Sequence, residues 1–122
     1  MAACRLSASA EADIIGLLAY TQDRFGETAR RRYEALLVTA LRDVASDPKR
    51  AGSIARPELG AGARSYHLRH SRDRASMPLG PVRRPRHLLV YRVRPPHLVE
   101  IGRVLHDAME IERHLGDEFG GA

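Results

Sequence analysis

The sequence predicts an α+β domain: an N-terminal antiparallel helical hairpin packed on a small antiparallel β-sheet, with a short C-terminal helix. Three observations predict it. Apolar residues recur at helical spacing from Ala10 to Val44, interrupted only at Gly26. After Gly62 the period switches to two. Near the end, Asp107 followed by Glu110 has the spacing of a helix-opening capping box.

Cys4-Arg5-Leu6 suits a short strand or an arm. Ser7 or Ser9 then caps a helix whose first turn carries Glu11 and Asp13, placed well for the positive end of the helix dipole. Its apolar stripe is Ala10, Ile14, Leu17, Leu18 and Phe25, and Gly26 stops it. In the second helix Ala29, Tyr33, Leu36, Leu37, Ala40, Leu41 and Val44 form one face, with Arg30, Arg31, Glu34, Arg42 and Asp43 facing away. Asp47-Pro48 closes it, since proline lacks the N–H that would continue the ladder. Two such stripes need a further layer beneath them.

Residues 49–63, rich in Gly and Pro, are expected to be a connecting loop. Three strands follow: 64–70, with Tyr66, Leu68 and His70 on one face; 86–93, apolar on both faces and so central; and Leu98 to Leu105. Between the first two, 71–85 is predicted to be a protruding basic insertion loop. Ile111 and Leu115 give the last helix its apolar stripe, Gly116 ends it, and 117–122 is expected to fray.

At 122 residues the chain is one domain, 1–122. The single cysteine leaves no internal disulfide or cysteine-based zinc site, and no stretch approaches the ~20 apolar residues of a membrane span. No signal pattern opens the chain, so a cytoplasmic location is expected. The formal charge of +5 is regional: between Pro48 and Pro95, Lys49 and eleven arginines face only Glu58 and Asp73. Such a surface suits an acidic partner, and Arg in particular suits bidentate contacts with carboxylate or phosphate.

The six histidines show no metal-ligand spacing and no glycine loop is built for phosphate, so neither metal nor cofactor is expected. The chemistry that the sequence does allow is metal-independent RNA cleavage. It needs a base, a cation on the phosphate and an acid for the leaving oxygen; Arg69, Arg92, Arg103 and His106 are the candidates, with Tyr66 or Tyr91 assisting. The competing reading makes Tyr66 and Tyr91 core aromatics with their hydroxyls at the rim, and His106 a structural corner residue.

Several stretches together carry a family resemblance: Ser7, Ala10 and Asp13-Ile14; Tyr20-Thr21; Phe25-Gly26; Ala29 and Tyr33; then Pro48, Gly52, Arg64-Ser65-Tyr66, Tyr91-Arg92, and Ile101 with Arg103-Val104-Leu105-His106. In this order they resemble the RelE/ParE toxin superfamily of type II toxin–antitoxin systems, and the Leu-His ending of the last strand is closer to the ParE branch. The resemblance implies a growth-arresting toxin that inhibits DNA gyrase without catalysis of its own. It also implies neutralisation by a ParD-like antitoxin with an acidic, wrapping C-terminal segment, and no sequence-specific DNA binding by the toxin alone. On this reading the antitoxin covers Leu17, Leu18, Leu37 and Leu41 and pairs with Arg69 and Arg92, while Asp107 and Glu110 are structural caps. The alternatives are a ribosome-dependent mRNA endonuclease of the RelE type, using Arg69, Arg92, Arg103 and His106, and an antitoxin-binding module without toxicity. The 71–85 insertion departs from the compact members of the family.

Overall fold

The computed structural model describes residues 3–75, 80–95 and 98–109. Ser7 opens the first helix, α1 (Ala8–Phe25), and ties it to the sheet. Its hydroxyl oxygen accepts from the Ala10 N–H at 3.0 Å, satisfying one of the helix's orphan donors, and its O–H donates to the Gly102 carbonyl at 2.7 Å. Gly26 alone joins α1 to α2 (Glu27–Ser46). Its φ of 94° is a conformation open to glycine and strained for other residues, so the reversal takes one residue. Asp47 ends α2, its N–H bonded to the Asp43 carbonyl just before Pro48.

Among the described residues the sheet has five strands: β1 (Ala3–Leu6), β2 (Ile54–Ala55), β3 (Ala63–His67), β4 (His87–Arg94) and β5 (Leu98–His106). Their spatial order is β1-β5-β4-β3-β2. β4 is central, as its apolar run on both faces predicts. The β2–β3–β4–β5 ladders are antiparallel, whereas β1 runs parallel to β5 with Ala3 opposite Leu98 and Leu6 opposite Ile101.

One face of the sheet carries the hairpin. Leu17, Leu36, Leu37, Ala40 and Val44 pack there against Tyr66, Leu68, Leu89, Tyr91, Val99, Ile101 and Val104. The other face carries a smaller cluster of Ala63, Val90 and Leu105. β5 changes face partway along: Tyr91 lies opposite Ile101 but Val90 opposite Arg103, so Gly102 is an extra, unpaired residue, a β-bulge. Val99 and Ile101 before it, and Val104 after it, therefore all reach the same core.

Several expectations need correction. Asp43, placed by helical period on the outer face of α2, is only 8% exposed. Its carboxylate accepts from Ser71 Oγ at 2.6 Å and Arg74 Nη1 at 3.1 Å, with Arg50 at 3.5 Å. Ser71 and Arg74 belong to the supposed insertion loop, which opens inside a 3-10 segment (Leu68–Arg74) packed on α2 with Leu68 and Ser71 buried. The third strand in sequence thus ends at His67, because the His67 ring accepts the Arg69 N–H and turns the chain. Residues 49–63 also contribute β2 and a 3-10 turn (Pro57–Leu59) rather than only loop. Phe25, assigned to the buried stripe, is 70% exposed at the hairpin tip. The capping box with Glu110, the last helix and the tail lie outside the described residues.

Candidate functional site

Tyr66 and Tyr91 are core aromatics with tied hydroxyls. The Tyr66 hydroxyl bonds Ser71 Oγ at 2.8 Å; that of Tyr91 donates to the Pro48 carbonyl and meets Ser53 Oγ at 2.6 Å. Arg64 Nε donates to the same Ser53 oxygen at 2.7 Å.

Of the four residues of the ribonuclease reading, Arg92 and Arg103 share a face of the β4–β5 ladder but turn to different carboxylates. Arg103 forms a fork on the Asp13 carboxylate at 2.7 and 3.0 Å. Asp13 also accepts from the Val104 N–H at 2.9 Å. The geometry has a simple cause. β1 stops opposite Ile101, so beyond it the edge of β5 lacks a strand partner, and α1 supplies the missing acceptor. Arg92 donates to Glu100 at 3.2 Å, and Glu100 also holds Arg5 and, at 3.5 Å, Arg94. Burial pushes the Glu100 carboxyl upward, but the hydrogen bonds from Arg5 and Arg92 outweigh it and leave its pKa below the usual value. Arg69 is exposed on the 3-10 segment, and His106 stands at the far end of β5 from Glu100.

A different cluster assembles around His106. The β4–β5 register sets His87 opposite His106, their rings edge to face with centroids 5.4 Å apart. Tyr33 of α2 reaches the pair. Its oxygen accepts from the Arg86 N–H at 3.0 Å, and its O–H donates to His87 Nδ1 at 2.7 Å. Burial, with His106 nearby, lowers the His87 pKa to about 4, so the ring is a neutral acceptor at pH 7. Burial likewise pushes the Tyr33 hydroxyl to about 12.

Beside them, Asp107 joins three segments. Arg86 donates to it from Nε at 3.0 Å and Nη2 at 2.9 Å, and His67 Nε2 donates at 2.9 Å. His67 Nδ1 accepts from the Arg69 N–H, which leaves its proton on Nε2 for Asp107. The Arg86 hydrogen bonds, assisted by His67 and opposed by burial, lower the Asp107 carboxyl to about 2. Asp107 is therefore a latch between β3, β5 and the approach to β4. His106 keeps a separate bond, its Nδ1 accepting from the Ala108 N–H at 3.0 Å.

This cluster borders a groove of about 910 Å³ at the hairpin tip. Tyr20, Thr21 and Phe25 of α1 line it, with Ala29, Arg32 and Tyr33 of α2, the segment Pro81–Arg84, and Arg86, His87 and His106. Among the described residues no group of His, Cys, Asp and Glu is arranged to hold a metal ion, and no helix is long and apolar enough to cross a membrane.

Of the apolar residues expected to meet an antitoxin, Leu17 and Leu37 lie inside the core, with Leu18 and Leu41 half-buried against it. The sequence reading missed Tyr20, Phe25, Tyr33 and His87 as surface or cluster residues. Only strand register could have found His87, because it is nineteen positions from His106 in the chain.

No curated protein matches the sequence. The family model for the ParE toxin of the type II toxin–antitoxin system parDE matches residues 4–111, which covers both helices and, but for Ala3, the five described strands. With the helical hairpin and five-stranded sheet in place, the chain belongs to the ParE toxin family of type II toxin–antitoxin systems.

Proposed function

We propose that this ParE-family toxin arrests growth by inhibiting DNA gyrase, with no catalysis of its own, and is neutralised by a ParD-like antitoxin. One observation carries the reading. Two of the three arginines that RNA cleavage would need on a phosphate are held by carboxylates of the same chain, Arg103 by Asp13 and Arg92 by Glu100. A ribonuclease would have to break both pairs before meeting its substrate.

For the antitoxin, the apolar surface that the hairpin leaves open is Ile15 and Val38, both exposed, with half-buried Leu18 and Leu41. Arg69, exposed and without an ion pair among the described residues, supports contact with an acidic segment, as the basic middle of the chain suggests.

The test is to induce the chain and follow DNA, RNA and protein synthesis together. The proposal expects DNA synthesis to fail first, with gyrase-dependent breaks. Early cleavage of messages at ribosomes overturns it in favour of the endonuclease reading, and antitoxin binding without growth arrest overturns it in favour of an inert module. His106→Ala should remain toxic wherever it remains folded.

A further inference from the structure

The groove at the hairpin tip has a composition that neither the core nor antitoxin docking on the hairpin explains. Tyr20 is 58% exposed and Phe25 70%, two rings held out at one end of a helix. The Arg24 guanidinium lies 5.5 Å from the Tyr20 ring centroid, adding a cation beside that ring. Arg83 and Arg84 line the same groove and are exposed, and among the described residues neither side chain has an ion-pair or hydrogen-bond partner. No described residue lining the groove is acidic. Of the carboxylates at this end, Asp107 is already turned onto Arg86 and His67, and Asp23 and Glu27, which flank Phe25 in the chain, are not among the groove's lining residues.

We propose that this groove binds single-stranded nucleic acid, with the Tyr20 and Phe25 rings stacking on unpaired bases and Arg83 and Arg84 taking the phosphates. Exposed aromatic faces beside unpaired guanidiniums are the chemistry that single strands require, since every base has a π-face and every linkage a negative charge. A duplex offers the charge but hides the faces of its bases. An acidic amphipathic helix would want an unbroken apolar stripe, whereas here Pro81 and Val82 are followed directly by two arginines. Stacking and phosphate contacts carry no base-edge readout, so binding is sequence-tolerant. The inference goes beyond the gyrase reading and does not depend on it.

Fluorescence anisotropy with the full chain and a labelled oligonucleotide of about 12 nucleotides, within the span of known single-strand sites, tests it. The expected result is saturable binding that is tighter for the single strand than for the duplex. Changing Arg83→Ala and Arg84→Ala together should weaken binding about tenfold or more and lower the salt slope by roughly 1–2. Phe25→Ala should weaken it about tenfold with the salt slope kept, and Tyr20→Leu, which keeps apolar bulk but loses the ring, should act in the same direction. All four positions are exposed, and far-UV circular dichroism confirms that each variant is folded. The proposal is overturned by absence of binding in the micromolar range, by equal affinity for duplex with no effect of Phe25→Ala, or by poly-glutamate displacing the probe as well as unlabelled single strand does.

Discussion

The two ends of the β4–β5 ladder are built from similar residues and left in opposite states. At the Arg92–Glu100 end, one carboxylate gathers Arg5, Arg92 and Arg94, so each guanidinium there has a carboxylate contact although the sum stays positive. At the His87–His106 end, Asp107 satisfies Arg86 and His67, but Arg83 and Arg84 beside it keep no such partner among the described residues. Arginine content alone does not separate these ends. What separates them is where the carboxylates fall in the register.

The largest effect is expected midway between the two ends. Leu89 is fully buried on β4 between the two ends, so Leu89→Ala should cost about 2–5 kcal/mol in urea unfolding and weaken both ends together. Next comes a change confined to the histidine end. Tyr33→Phe leaves the Arg86 N–H and His87 Nδ1 without their partner and should cost about 1–3 kcal/mol, with the Glu100 cluster unaffected.

The same end should make the protein acid-sensitive in two windows, with Glu100 at the other end, also held below its usual value, adding to the lower one. His87 has a folded pKa of about 4 against an ordinary 6.5, so the unfolded chain binds the extra proton between them. Its contribution is complete above pH 6.5 and is lost as pH falls to 4. Asp107, at about 2 against 3.8, contributes fully above its ordinary value and loses that contribution as pH falls toward 2. Urea midpoints across pH should show both limbs. His87→Gln should flatten the upper one and Asp107→Asn the lower. A wild-type midpoint constant from pH 7 to 4 would remove the buried neutral imidazole from this account. The smallest effect belongs to the saturated end. Arg94 is exposed and is one of three cations on Glu100, so Arg94→Ala should change stability by less than about 0.5 kcal/mol.

The parts of the molecule legible in the sequence are those that local physics determines. Ser7 capping, the Gly26 reversal, the stop at Asp47-Pro48 and the central position of β4 all follow from side-chain chemistry within a few residues. What escaped depends on distant partners. β1 has four residues and gains its identity only by lying parallel to β5, more than ninety positions away. Asp43 is charged and sits where the helical period points outward, yet Ser71 and Arg74 make its burial tolerable. His106 and Asp107 were legible as a pair worth attention; that His87, Tyr33, His67 and Arg86 would surround them was not. The family resemblance, carried by order and spacing, holds because order and spacing are what the hairpin and sheet preserve.

The bulge at Gly102 makes β5 two half-strands of opposite parity. Odd-numbered Val99 and Ile101 face the hairpin before it, even-numbered Val104 after it, and His106 follows Val104 on that side to meet His87. The histidine cluster is thus set by a count. If β5 paired at its full length without the bulge, every amino acid would be kept, yet Leu105 would turn toward the hairpin and His106 toward the opposite cluster, whereas deleting Gly102 itself would leave both on their present faces. Between Arg103 and His106, by contrast, one residue more or fewer reverses the face of all that follows it, so that stretch should accept many substitutions and almost no change of length.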